Sequence, residues 1–166
     1  DSQGVIHVLF VKQSTEGEQM YWTVNSTGSY PEPICVMDMT PHCVDLVSII
    51  DRKDRIHLAW QDETQDDFGN LHYACIENGE VIQHQIICTD RCDKPDIEMN
   101  DLDPVIVFGS TIIGPSGPID RVGLIISHVG VFDVPVFYQP PIPINFTWNQ
   151  MELRKGVPYL LLSSKG

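Results

Sequence analysis

The apolar residues of this chain fall in short runs, among them 44–50, 55–61, 70–76 and 81–88, separated by the polar stretches Asp51 to Asp54, Asp62 to Asn70 and Glu77 to Glu80. This is the punctuation of strands and turns, and no stretch carries the i, i+3, i+4, i+7 spacing of an amphipathic helix. Each of the four runs is therefore predicted to be a strand. In the second, Ile56, Leu58 and Trp60 lie on one side and His57 and Ala59 on the other, with no charge on either. A half-exposed strand alternates apolar with charged residues, so these strands are predicted to be covered on both faces.

The pattern repeats. Asp1, Ile6, His7 and Phe10 coincide with Asp51, Ile56, His57 and Trp60 at a shift of fifty, and Asp101, Ile106 and Val107 continue the series with valine in the histidine's place. Downstream, Met20-Tyr21-Trp22-Thr23-Val24 with Gly28, Leu71-His72-Tyr73-Ala74-Cys75 with Gly79, and Val122-Gly123-Leu124-Ile125-Ile126 with Gly130 recur at a shift of fifty-one. Four strands in about fifty residues is the arithmetic of a β-propeller blade. The expectation is an all-β, propeller-like fold of four-stranded antiparallel blades, with copies at about 1–43, 44–94 and 95–140. A partial copy at 141–166 holds two strands near 144–151 and 157–163. About three and a quarter blades do not close a ring. The chain is thus expected either to be one piece of a larger processed protein or to be completed by self-association.

The stretch Asp54-Arg55-Ile56-His57-Leu58-Ala59-Trp60-Gln61-Asp62, followed by Asn70-Leu71-His72-Tyr73-Ala74 and Asn78-Gly79-Glu80, resembles the repeats of sialidase-type and lectin-type β-propellers. The resemblance covers about residues 1–130 and implies an architecture more than an activity. Sialidase-type enzymes clamp a carboxylate with arginines. Here the arginines are Arg52, Arg55, Arg91, Arg121 and Arg154, most of them in predicted turns, and the Ser-x-Asp-x-Gly-x-Thr-Trp box of many such propellers is absent. A glycoside hydrolase is accordingly the least favoured reading.

Cys35 and Cys43 bracket the passage from the first copy to the second, and Cys88 and Cys92 bracket the equivalent passage one copy later. This predicts disulfides Cys35–Cys43 and Cys88–Cys92, with Cys75 left as a buried free thiol. Two glycosylation sequons, Asn25-Ser26-Thr27 and Asn145-Phe146-Thr147, join the cysteines in pointing to an extracellular location. The opening Asp1 to Gly4 shows neither an initiator Met nor a signal-peptide pattern, which suggests a processed chain.

Charge narrows the partners. An excess of 23 Asp and Glu over 10 Lys and Arg gives a net charge of −13, which repels nucleic acid and anionic lipid. No apolar run approaches the ~20 residues that span a bilayer, so membrane insertion is not expected.

No catalytic motif stands out: there is no Gly-x-Ser-x-Gly elbow, no phosphate-cradling loop and no His-Glu-x-x-His. An enzyme, a cofactor and a bound metal are therefore not expected. His7 and His57 read as satisfied histidines at blade interfaces, and His42 beside Cys43 as an accident of a disulfide corner. The acidic stretches Asp62 to Asp67 and Asp90 to Asp103 lack EF-hand spacing and read as solvated loops. Trp22, Trp60, Tyr73 and Trp148 are the candidate sugar-stacking aromatics, although strand interiors at Trp60 and Tyr73 favour packing. The Pro-rich run Tyr138 to Ile144 reads as an extended connection. The leading expectation is a non-enzymatic extracellular glycoprotein module that binds a protein partner or itself. A glycan-binding lectin is the alternative.

Overall fold

The computed structural model describes the chain apart from residues 16, 26–27, 40–41, 63–68, 140–145, 155–156 and 165–166, and describes only the backbone at 146–150, 153 and 160–164. The described residues form thirteen strands and no helix. β1 (Ile6–Ser14), β2 (Gly17–Asn25) and β3 (Ile34–Asp38) make one antiparallel sheet. A second sheet runs in the order β10-β9-β8-β7-β6-β5-β4, from β4 (Cys43–Ile50), β5 (Ile56–Asp62), β6 (Gly69–Glu77) and β7 (Glu80–Asn100) through β8 (Asp103–Gly114) and β9 (Gly117–His128) to β10 (Val131–Phe132). β11 (Val136–Tyr138) also pairs with β9, and β12 (Phe146–Arg154) and β13 (Val157–Ser164) form a separate hairpin. The strands predicted at 44–50, 55–61 and 70–76 are thus β4, β5 and β6 to within a residue, and 81–88 is the first half of β7.

β7 joins two groups of strands. Its first half pairs with β6 and its second half, from Cys92, with β8. Positive φ at Arg91 (48°) and Lys94 (45°) breaks the extended path between the halves. The strand then contacts β4 and β5, which pairing alone would hold three and two strands away. Turning back in this way brings β8 and β9 over one face of β5 and β6. The stretch Asp90 to Asp103, expected as a solvated acidic loop, is mostly strand. Asp96 accepts the Met151 N–H at 2.7 Å, and Asp93 lies over Gly109, where a Cβ would meet its carboxylate at 1.9 Å.

Two cores result. Ile56, Leu58, Trp60, Ala74 and Ile76 pack with Met20 and Met39, and against Leu9, Val11, Trp22 and Met37 of the first sheet. The alternate residues Ala59, Leu71, Tyr73 and Cys75 pack with Val105 to Phe108 and Ile125. β5 is therefore buried along its whole length, with Leu58 and Ala59 at 0% exposure on opposite faces. Each large side chain so buried contributes about 1.5–3 kcal/mol before entropy is counted. Met151 of β12, 1% exposed, closes the far side of the second core.

The pairing register is the same in the first two copies and is shifted in the third. Leu9↔Trp22 and His7↔Val24 correspond to Ala59↔Tyr73 and His57↔Cys75. In the third copy the corresponding pairs are Val107↔Leu124 and Val105↔Ile126. Val105, not Val107, thus occupies the histidine's place. The reason is a shorter hairpin: Asn100 pairs directly with Asp103, whereas Ile50 and Ile56 pair across a five-residue loop.

The disulfide expectation is also corrected, because all five cysteines are free thiols. A bulge between Met20 and Tyr21 shifts β3 by one residue, so that Cys35 pairs with Tyr21 on the outer face of the first sheet. Cys43 packs inward against the first core. Cys88 and Cys92 lie side by side in the second core, their thiols in contact but unbonded. Cys75 is buried, as expected.

Candidate functional site

The polar chemistry of this chain gathers at the seams between sheets. Ahead of β1 and of β5 the chain makes the same loop, organised by an aspartate. Asp1 Oδ1 accepts the N–H groups of Gln3 (3.0 Å) and Val5 (2.7 Å), and Asp51 Oδ1 those of Lys53 (2.8 Å) and Arg55 (2.9 Å). The second oxygen meets a histidine: Asp1 Oδ2 lies 2.8 Å from His7 Nε2, and Asp51 Oδ2 lies 3.2 Å from His57 Nε2. The other ring nitrogen meets an aromatic, the Trp22 indole N–H at 3.2 Å from His7 Nδ1 and the Tyr73 hydroxyl at 2.7 Å from His57 Nδ1. An indole N–H only donates, so His7 Nδ1 accepts and its Nε2–H points to Asp1. The repeat extends that tautomer to His57.

Asp–His–hydroxyl is the order of groups in a charge-relay triad, but the surroundings refuse that chemistry. Tyr73 is 2% exposed, and burial pushes its phenol far above the usual range. The first copy performs the same tie with an indole, which offers no nucleophile. Burial lowers both histidines, which keeps them neutral near pH 7. Burial pushes the Asp51 carboxyl up, but the Arg55 N–H and guanidinium, His57 and the Lys53 N–H outweigh it and bring the carboxyl down to about 2. The triads are structural ties between loop, strand and neighbouring strand.

A second network holds the other end of β5. Asp62 accepts from the Asn70 backbone N–H (2.5 Å) and side-chain amide (2.8 Å), and from His72 Nε2 (2.8 Å). Trp60 stacks on His72 and His84, with ring centroids at 5.1 and 5.4 Å. Its ring is therefore spent on histidines and not offered to a ligand. Of the acidic run Asp62 to Asp67, only Asp62 lies among the described residues. No group of three metal-ligating side chains gathers among them.

Of the three aromatic candidates whose side chains are described, Trp22 alone reaches a cleft. A cavity of about 240 Å³ opens where the first sheet meets the second, lined by Trp22, His7, Asp1, Asp54, Asn78 and Gly79 among others. Ser2 ties its rim across the seam, donating its N–H and its hydroxyl to Asp54, each at 2.7 Å. Tyr73 and Trp60 are buried, and the Trp148 side chain lies outside the described residues. Asn25 ends β2, and its side-chain oxygen accepts the Gly28 N–H at 2.7 Å. Asn145 lies outside the described residues. His42 pairs with Glu18, which also accepts the Cys43 N–H at 2.8 Å, so its imidazole engages a carboxylate in place of a thiol.

The first sheet leaves a face open. Phe10 stacks on Tyr21 at 5.6 Å, with Cys35 beside them, and Ile6 (57% exposed) and Phe10 (37%) are uncovered. The equivalent residues of the second sheet, Ile56 and Trp60, are 3% and 2% exposed. This face was not singled out in the sequence, although the repeat held the signal: the same residue types stand at a buried and at an open position. Comparison with protein-family models, with curated proteins and with solved structures finds no match.

Proposed function

We propose that the chain is a non-enzymatic, extracellular assembly module built of propeller-like blades, and that the open face of its first sheet is its docking surface. One observation carries the reading. Ile6, Val8 and Phe10 repeat the positions of Ile56, Leu58 and Trp60, which in the second sheet are covered by the sheet before it, and Tyr21 repeats the position of the buried His72. A contiguous apolar face of this kind marks an interaction site on a folded protein. The outer edge of β1 is also unpaired among the described residues, whereas β4 covers the equivalent edge of β5. The two sequons support an extracellular setting.

Engaged arginines support a non-enzymatic role. Arg52 pairs with Asp101, Arg55 with Asp51, Arg121 with Asp90 and Arg154 with Glu152, so each of these four guanidiniums is engaged by a carboxylate of the chain itself. A second reading, a lectin, is favoured only by the Trp22 cleft, whose indole and carboxylates suit the face and hydroxyls of one sugar ring. Loss of glycan-array binding on Trp22→Ala would support the lectin. The docking surface is tested with a hydrophobic dye at a concentration where the chain is monomeric. Dye fluorescence that disappears in Phe10→Asp, with the melting temperature unchanged, supports it, and fluorescence indifferent to Phe10→Asp overturns it.

A further inference from the structure

Resting on the docking surface just proposed, the occupant can be argued from how the sheets meet inside the chain. The two internal junctions are of one kind. The face of a sheet that carries the Ile56–Trp60 positions always meets the opposite face of its neighbour in the stack, the face that carries Leu9 and Trp22 in the first sheet and Ala59 and Tyr73 in the second. Calling these front and back, the open face of the first sheet is a front, and only a back complements it in the way the fold already uses.

Among the described residues, an open back stands at the other end of the stack. In the β12–β13 hairpin Met151 points into the core, while Glu152 pairs with Tyr159 and Arg154 with Val157 on the opposite side. Val157 and Tyr159 are 53% and 56% exposed, and the Arg154 guanidinium sits 5.8 Å over the Tyr159 ring. The first sheet's front carries the matching set: Lys12 stands 5.9 Å over the Tyr21 ring, and Asp38 lies nearby on β3, accepting from Gln19 at 3.0 Å. Each face offers an aromatic ring, one base and one acid, so Lys12 can meet Glu152 while Asp38 meets Arg154. A front-to-front pairing would instead join surfaces that never meet within the chain.

From this we infer that the front of the first sheet of one copy stacks on the outward face of the β12–β13 hairpin of a second copy, head to tail. Such an interface is heterologous, and repetition gives a ring or a filament. A face of three strands of nine residues or fewer measures about 30 by 14 Å. Stacking would bury on the order of 800 Å² over both partners, which places the association among weak, concentration-dependent contacts.

Sedimentation velocity of the full chain from 1 to 500 µM tests this. The average mass is expected to rise above one chain across about that range, and Phe10→Asp and Tyr159→Asp, both at exposed sites, should each weaken association at least tenfold with melting temperatures unchanged. An equimolar mixture of the two variants should form dimers and stop there, because one intact front and one intact back remain. A wild-type chain that stays monomeric throughout overturns the inference, as does association that Tyr159→Asp leaves intact. In either case dye binding that still depends on Phe10 would leave the docking surface itself standing, whereas indifference to Phe10 in both assays would remove both.

Discussion

Removing one charge at Asp51 should reveal how much the loop ahead of β5 contributes to the fold. Asp51→Asn keeps an oxygen for the Lys53 and Arg55 N–H groups and removes the charge that holds Arg55 and His57. The Asp51 side chain is fully buried, and its carboxyl is displaced from an ordinary 3.8 to about 2. A displacement of that size is worth about 2.5 kcal/mol in full. Water reaching the loop past the half-buried Arg55 screens it to about 1.5–2 kcal/mol. Because the folded value lies below the unfolded one, this stability is present above pH 4 and lost as pH falls towards 2. Urea unfolding of both proteins should therefore show a gap of about 1.5–2 kcal/mol at pH 7, roughly halved at pH 3. A gap below about 0.5 kcal/mol at pH 7, or one that stays constant down to pH 3, would refute the role assigned to this carboxylate.

Other consequences follow from the same contacts. His57→Val alone strands the Asp51 and Tyr73 oxygens and should cost about 2–4 kcal/mol, whereas adding Tyr73→Leu, which rebuilds the third copy's Val105–Leu124 solution, should recover at least about 1 kcal/mol in a denaturation double-mutant cycle. Strict additivity would contradict the tie. Gly79, at φ 81°, lies where a Cβ would meet Trp22 at 2.7 Å and Ile34 at 2.9 Å across the seam. Gly79→Ala should destabilise by about 1–3 kcal/mol, measured by thermal melting, and a neutral result would mean that the seam is looser than described. Native thiol titration should find one fast cysteine, the exposed Cys35, since Cys75, Cys88 and Cys92 are buried and burial pushes the half-buried Cys43 up to about 12. Two or more fast thiols would contradict the placement of these side chains.

Much of the fold could be read from the sequence because Ile56–Gln61 of β5 and Asn70–Ile76 of β6 carry no charge on either side, which double-sided cover explains. The loop aspartates were visible too, as an Asp six residues ahead of a His in both copies, but their role needed the coordinates. Other features hinged on single-residue shifts that spacing does not encode. The bulge at Met20/Tyr21 turns Cys35 outward and so separates it from Cys43. The two-residue turn at Asp101-Leu102, flanked by Asn100 and Asp103, slides β8 by two positions and moves the histidine's place to Val105. For Trp60 the sequence already favoured packing over a ligand platform, but did not show that its ring would stack on His72 and His84. The docking face was hidden for a related reason: Phe10 and Trp60 are equivalent in the repeat, and only the stacking of sheets makes one open and the other closed.

That equivalence gives the most direct test. Thermal melts of Phe10→Asp and Trp60→Asp, recorded at a concentration where the chain is monomeric, place the same charge at two matched positions. Trp60→Asp buries a carboxylate between two sheets and should prevent folding or lower stability by more than about 4 kcal/mol, while Phe10→Asp should leave the melting temperature within a degree or two of wild type. Equal destabilisation by the two variants would mean that the first sheet's face is covered within the single chain, and an assembly role for it would be contradicted.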